Sequence, residues 1–206
     1  MEVAVKKSLV IMLHGVGSNG ADLEPIAEFW QQQLEVLQIA SPDAPFPFMN
    51  SPQAFQWFSL NGITQENRYP RIVEARAAFD QTITDILKQH EMLEQLDRVV
   101  FCGFSQGTIM SLDAIASGRW NIAGVIGLSG RLASPIEQDA ALKSKILLMH
   151  GNADQVIPVQ ESQLAYQTFQ QAGFDINLQT FDHLGHSVNQ AEVQQGLLFL
   201  QHLLYA

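Results

Sequence analysis

Cysteine is almost absent. Cys102 is the only one in 206 residues, which excludes an internal disulfide. Its apolar setting, RVVFCGF, reads as a small buried hydrophobe rather than a reactive thiol. A single such residue suits a reducing compartment, and a cytoplasmic protein is expected. Basic residues are also scarce: 11 Lys and Arg stand against 21 Asp and Glu, a formal net charge of -10. Neutralising phosphates takes clustered cations, so neither a nucleic acid nor an anionic membrane is an expected partner. No run reaches the roughly 18 apolar residues of a membrane span. Lys6 and Lys7 before SLVIML superficially resemble a secretory leader, but the apolar stretch ends after six residues at His14-Gly15 without a cleavage-like segment, and it reads as a strand. There is no internal repeat, low-complexity tract or linker.

What is present is the composition of a globular chain, 47% hydrophobic and 16% charged. Residues 1–206 read as a single domain, large enough to bury roughly 70% of the surface of the unfolded chain. Short apolar runs recur at 8–13, 34–40, 98–103, 122–128, 145–151 and 176–181. Most are continuous rather than alternating, the pattern of strands covered on both faces. Helical periodicity lies between them: Ile72, Ala75, Phe79, Ile83, Ile86 and Leu87 share one face over 71–93, and Val193, Leu197, Leu200 and Leu204 share another. Strands alternating with helices predict an α/β fold, a mainly parallel central sheet with helices on both faces. The irregular part is 41–70, a long excursion that holds five of the eight prolines and a cluster of aromatics. Loops of that length tend to be functional.

Two glycine motifs compete to define the chemistry. HGVGSNG (14–20) contains G-x-G-x-x-G, the spacing of dinucleotide-binding loops. A nicotinamide-dependent oxidoreductase would rest on this motif alone, and the context opposes it. A helix starting inside the motif would place Pro25 in its interior, whereas a start near Asp22 leaves Pro25 in the tolerated first turn. The acidic residue expected about 20 residues later would be Asp43, wedged in SPDAP. The second motif is Gly103-Phe104-Ser105-Gln106-Gly107, G-x-S-x-G, after a strand-like run and before a helix-like one. The bare pattern occurs by chance in roughly one chain in fifteen of this length. Its setting makes it informative: a serine on a sharp strand-to-helix turn needs neighbours without bulk. The plain alternative is a glycine-flanked helix cap.

A serine hydroxyl is a weak nucleophile, so Ser105 needs a histidine base and a carboxylate to orient it, in the chain order Ser, acid, His. Asp154, just beyond the apolar run KILLMHG, is the favoured acid over Asp139, Asp175 and Asp182. His186 is the favoured base over His183, because Gly185 suits a tight turn that presents the side chain. His90 and His202 read as solvated, and His150 as a strand-end residue bonding to its own loop. A metal site built from Asp182, His183 and His186 with His150 or Asp154 has no recognised ligand spacing. The oxyanion donors would be the N–H of Gln106 at the start of the helix and the N–H of Val16 in the glycine-rich loop. Ser129, lacking an elbow, reads as a turn at the edge of the site.

LHGVGSNG, PDAP, QWFSL, GFSQGTIM, LSGRL, HGNADQVIPV and GHSV, in this order, resemble the phospholipase/carboxylesterase family of α/β-hydrolases, which includes acyl-protein thioesterases. The resemblance covers nearly the whole chain. It implies a cofactor-free, metal-free hydrolase of small carboxylic esters, with some members acting on acyl thioesters or lysophospholipids. Ser105 would be the nucleophile, Asp154 the acid, His186 the base, and Val16 and Gln106 the oxyanion donors. A catalytically silent acyl-binding module of the same fold is the competing reading. Ser59 stands where some relatives carry an acidic residue, and SPQAFQ replaces a glycine-rich stretch, so no acyl-chain preference carries over. An acyl groove beside Ser105 would draw its walls from Phe46, Phe48, Met49 and Trp57, with Phe55, Phe58 and Leu60 as further candidates. The alternative is core packing under a long loop, which suits Trp57 and Phe58 best.

Overall fold

A computed structural model describes residues 7–49, 51–138, 140 and 143–205, leaving Lys6 and Asp139 outside the described residues. All six expected strands form. They are β1 (Ser8–Leu13) and β2 (Leu37–Ala40), then, after a two-residue pair β3 (Phe46–Pro47) and β4 (Phe55–Gln56), β5 (Val99–Phe104), β6 (Gly124–Leu128), β7 (Lys145–Gly151) and β8 (Ile176–Phe181). Their order is β2-β1-β5-β6-β7-β8, and every pairing in this sheet is parallel. The run 34–40 yields only four strand residues. Leu34 instead closes the preceding helix, its N–H donating to the Trp30 carbonyl.

The strand pleat divides the core. Leu9, Ile11, Leu13, Phe101, Val125 and Leu148 point to one face, packed by α2 (Gln65–Gln89), α3 (Gln106–Ala116) and α4 (Gln160–Gln171) through residues such as Ile72, Phe79, Leu112 and Phe169. Val10, Met12, Val100, Cys102, Ile126 and Met149 point to the other, packed by α1 (Glu24–Gln33) and α5 (Gln190–Tyr205) through Trp30, Leu197 and Leu200. The inner strands β1, β5, β6 and β7 are covered on both sides, which is why their sequences read as unbroken apolar runs, whereas the outer strands β2 and β8 are only partly buried. Cys102 is fully buried, and burial pushes its thiol pKa up.

Helix boundaries bear out one sequence expectation, Pro25 in a first turn, and correct another. A 3-10 turn over Gly20–Leu23 precedes α1, which begins at Glu24 with Pro25 in its first turn. α2 starts at Gln65 rather than Arg71 and runs through Pro70, ending at Gln89. A capping box explains the earlier start: Thr64 Oγ1 accepts from the Asn67 N–H, and Asn67 Oδ1 accepts from the Thr64 N–H. Pro70 lies close enough to this end to remove a single ladder bond. Asp113, fully buried in α3, ties that helix to its surroundings by accepting from Arg76 of α2, from Arg119 and from Ser134.

Glu192 is a second buried acid. Asn189 and Glu192 cap α5 reciprocally, at 3.0 Å and 2.9 Å, but Glu192 Oε1 has no partner among the described residues and faces Ile26, Trp30, Ile126 and Met149. Burial pushes its pKa up to about 7, against the opposing pull of the Asn189 N–H. A raised carboxylate pKa means that the native state keeps a proton the unfolded chain has released, so stability falls as pH rises from about 4.5 to about 7. Glu192→Gln is therefore expected to gain on the wild type by up to about 3 kcal/mol between pH 5 and pH 8. Urea unfolding at the two pH values measures the gain; parallel wild-type and variant curves would contradict it.

Candidate active site

β1 lies between β2 and β5, so the chain leaves its C-terminal end toward one side of the sheet while β5 feeds the other. Open α/β sheets bind ligands in the crevice at such a reversal. Two loops meet there: His14-Gly15-Val16 after β1, and Ser105 after β5.

Ser105 sits at φ 52°, ψ -111°, a left-handed conformation that L-residues rarely adopt, between β5 and α3. The flanking glycines are sterically required. A Cβ on Gly103 would lie 2.4 Å from the Gly107 carbonyl carbon and the Thr108 nitrogen, and one on Gly107 would lie 1.9 Å from the Leu13 carbonyl oxygen. The strand and helix thus close on each other and leave Ser105 at their apex.

The fold brings Ser105, His186 and Asp154 together. His186 Nε2 lies 3.0 Å from Ser105 Oγ, and His186 Nδ1 lies 2.7 Å from Asp154 Oδ2. A carboxylate only accepts, so Nδ1 carries the proton and Nε2 is left to accept from the serine hydroxyl. Asp154 is itself held: its Oδ1 accepts from the N–H groups of Val156 and Ile157 at 2.8 Å and 2.9 Å. Burial alone raises the Asp154 pKa, but the hydrogen bonds from His186, Ile157 and Val156 keep it below the ordinary carboxylate value. The ring of Phe104 packs against that of His186, with centroids 4.9 Å apart.

The N–H groups of Val16 and Gln106 make no hydrogen bond among the described residues, and both residues wall the pocket that contains Ser105. Gln106 opens α3, so its amide stands at the positive end of the helix. The glycines of HGVGSNG have structural uses. Gly17 has φ 80° and backs onto Phe48, and a Cβ on Gly20 would lie 1.9 Å from the Ser41 carbonyl oxygen. Asp43 accepts from the Gly20 N–H at 2.9 Å. Gly17 and Gly20 are thus occupied by contacts with the protein's own chain.

Ala44 and residues 55–58 are fastened to the site by contacts that no local pattern announces. The Gln106 side chain accepts from the Trp57 N–H and donates to the Phe58 carbonyl, both at 2.7 Å. Trp57 Nε1–H donates to the His14 carbonyl at 2.9 Å. His14 is buried and neutral in this arrangement: Nδ1–H donates to the Gly15 carbonyl, Nε2 accepts from the Ala44 N–H, and burial lowers its pKa. Gly17 and Ser18 also pair with Phe55.

The pocket beside Ser105 has a volume of about 180 Å³. Its apolar wall comes from Phe58, Leu60, Ile63, Ile109, Val156 and Ile157, and its charged wall from Arg68 and Arg131. This corrects the expected groove. Trp57 is fully buried in the core behind the loop, in T-shaped contact with Phe79. Phe46 faces a separate groove with Arg71 and Glu74, Phe48 covers Gly17, and Met49 is 78% exposed. None of the four borders the Ser105 pocket. The excursion does supply its wall, but from positions 58–63.

The rival side chains lie elsewhere. Asp175 pairs with Lys145 at the opposite end of the sheet, Asp182 is exposed and accepts from Asn152, and His183 is exposed at φ 60°. Among the described residues, no group of three or more His, Cys, Asp or Glu is placed to hold a metal ion. Gly185 precedes His186, yet it lacks a positive φ and a Cβ there would meet nothing within 4 Å, so the turn does not need its glycine. His150 does bond to its own loop, with Nε2 2.8 Å from the Ile157 carbonyl, and also stands 3.2 Å from Asp154 Oδ2. Ser129 is a buried turn residue at φ 47°.

The chain is similar to known proteins over nearly its whole length. A family model described as phospholipase/carboxylesterase matches residues 3–204. Esterase YpfH of Escherichia coli is 31% identical over 199 residues, covering 97% of this chain and 83% of the relative. Acyl-protein thioesterase 1 of Emericella nidulans is 27% identical, covering 98% of this chain and 94% of the relative. The crystal structure of esterase PE8 superposes with a TM-score of 0.86 at 29% identity, covering 97% of this chain and 94% of that one.

Proposed function

Because the chain belongs to the phospholipase/carboxylesterase family, we propose that its carboxylic ester hydrolysis runs through Ser105 as nucleophile, His186 as general base and Asp154 as orienting acid. The fold is that of the α/β-hydrolases. One observation carries the assignment: the continuous hydrogen-bond chain from Ser105 Oγ through His186 to Asp154, at 3.0 Å and 2.7 Å, in a pocket where two backbone amides are free.

His186 Nε2 takes the Ser105 proton as Oγ attacks the ester carbonyl. The negative charge that develops on the carbonyl oxygen is met by the N–H groups of Val16 and Gln106, each such donor contributing about 3 kcal/mol to transition-state stability. The carbon–oxygen bond to the alcohol breaks, the alcohol leaves with the proton from His186, and an acyl group remains on Ser105. Water, deprotonated by the same histidine, then releases the acid. The substrate is a small ester. An acyl thioester enters the same cycle, since only the leaving atom differs. Among the described residues no helix is long and apolar enough to cross a membrane, and the single buried Cys102 supports a cytoplasmic setting.

A fluorophosphonate probe tests the nucleophile directly. The expected result is one label per chain, on the peptide that contains Ser105, together with turnover of 4-nitrophenyl esters. A label on any other residue would remove Ser105 from its role, and absence of both label and turnover would leave an acyl-binding module.

A further inference from the structure

We propose that Arg68 and Arg131 select esters whose acyl part ends in an anionic group, such as the carboxylate of a dicarboxylic acid half-ester. This rests on the esterase reading above and deepens it.

The chain has only 11 cationic side chains in 206 residues and a net charge of -10. Two of the 11 nevertheless stand in the wall of the pocket that contains Ser105. The same two wall an adjoining polar pocket of about 530 Å³, with Gln65, Ser134 and Glu161. Arg68 and Arg131 thus mark the passage from the reacting serine to a larger polar space. They come from different elements, Arg68 from α2 and Arg131 from the loop after β6, and Arg68 is close enough to act on Arg131 as a like charge.

Their compensation is incomplete. Arg131 Nη1 donates to Glu161 Oε1 at 3.1 Å, and Asp154 also acts on Arg131 from a distance. Arg68 has neither a hydrogen bond nor an ion pair among the described residues. Two partly buried guanidinium groups in one wall, of which only Arg131 is paired with a carboxylate, attract an anion.

The side of the ester that enters this space follows from the chemistry. The leaving alcohol must lie against His186 to receive its proton, and His186 is absent from the wall of this pocket, whereas Ser105, Val16 and Gln106 are present. The part of the substrate that stays bonded to Ser105 is the acyl part. The apolar stretch of Phe58, Leu60, Ile63 and Ile109 takes its methylene groups, and the arginines take its end.

The test compares kcat/KM for mono-4-nitrophenyl adipate with that for 4-nitrophenyl hexanoate, which matches it in length without the charge. The wild type is expected to favour the adipate. Arg68→Gln is expected to lower the adipate-to-hexanoate ratio roughly tenfold, the scale of a hydrogen bond between charged groups. Raising the salt from about 20 mM to about 500 mM lowers the wild-type ratio as well, a measurement independent of any variant. A second pair, 4-carboxyphenyl and 4-carbamoylphenyl butyrate, places the charge on the alcohol; its ratio is expected to be the same in wild type and Arg68→Gln. A fall confined to that pair overturns the acyl-side assignment. An adipate ratio within about twofold of wild type in Arg68→Gln, or one insensitive to salt, overturns the role of the arginines while ester turnover stands. Failure of the wild type to hydrolyse any of the four esters removes the esterase reading itself.

Discussion

Ser105→Ala is expected to lower kcat for a 4-nitrophenyl ester by a factor on the order of 10⁶, the scale at which serine hydrolases lose their nucleophile. The change deletes one oxygen from a buried position, and the strained φ of 52° is a property of the turn that alanine inherits. Unfolding of the variant should therefore stay close to that of the wild type, which separates lost chemistry from lost fold. The sharper outcome is in the pair with His186→Ala. In the proposed cycle His186 acts only through Ser105 and the acyl group it carries, so the double variant should be no slower than either single one. Multiplicative losses would mean that the two act independently, and the 3.0 Å contact between them would then not be a working one. A Ser105→Ala protein retaining more than about 1% of wild-type kcat would remove the serine from the mechanism.

The parts of this site that were legible in the sequence are those whose geometry is set by neighbours along the chain. G-x-S-x-G encodes a collision between Gly103 and residues 107–108, four or five positions on, and between Gly107 and the adjacent strand. The order of Ser105, Asp154 and His186 is legible for a related reason: each follows a strand whose apolar run marks where the sheet ends. The walls of the pocket were not. Apolar content says that Phe46, Phe48, Met49 and Trp57 have somewhere to pack but not which way a short hairpin turns them, and the fold sends Trp57 inward and Met49 to solvent. Gln106 illustrates the same limit. The place of its amide at the start of α3 follows from position, but its side-chain partners, Trp57 and Phe58, lie 49 and 48 residues earlier. Arg68 and Arg131 are counted in the sequence as scattered cations, and only the crossing of α2 over the sheet brings them to one pocket.

Gly107→Ala carries the largest expected structural effect. Its Cβ would lie 1.9 Å from the Leu13 carbonyl oxygen, 2.5 Å from the carbonyl carbon and 2.9 Å from the Leu13 Cβ. No flexible side chain stands there to give way, so α3 and β1 must move apart. Overpacking of this kind costs about 3 kcal/mol or more, equivalent to a Tm lower by roughly 10 °C for a chain of this size. Gly185→Ala is the control, because its Cβ meets nothing within 4 Å, and its Tm should remain at or slightly above that of the wild type. The stability loss is only half of the prediction. Leu13 leads directly into His14, whose ring holds Ala44, whose carbonyl holds Trp57, and whose next neighbours present the Val16 amide. Displacing β1 from α3 separates that amide from the Gln106 amide at the start of the same helix. Any folded Gly107→Ala protein should therefore react sluggishly with esters even well below its Tm, with a fall in kcat of about 100-fold if one oxyanion donor is lost. A variant that unfolds early but turns over esters at the wild-type rate when cold would separate the helix–strand contact from the oxyanion site.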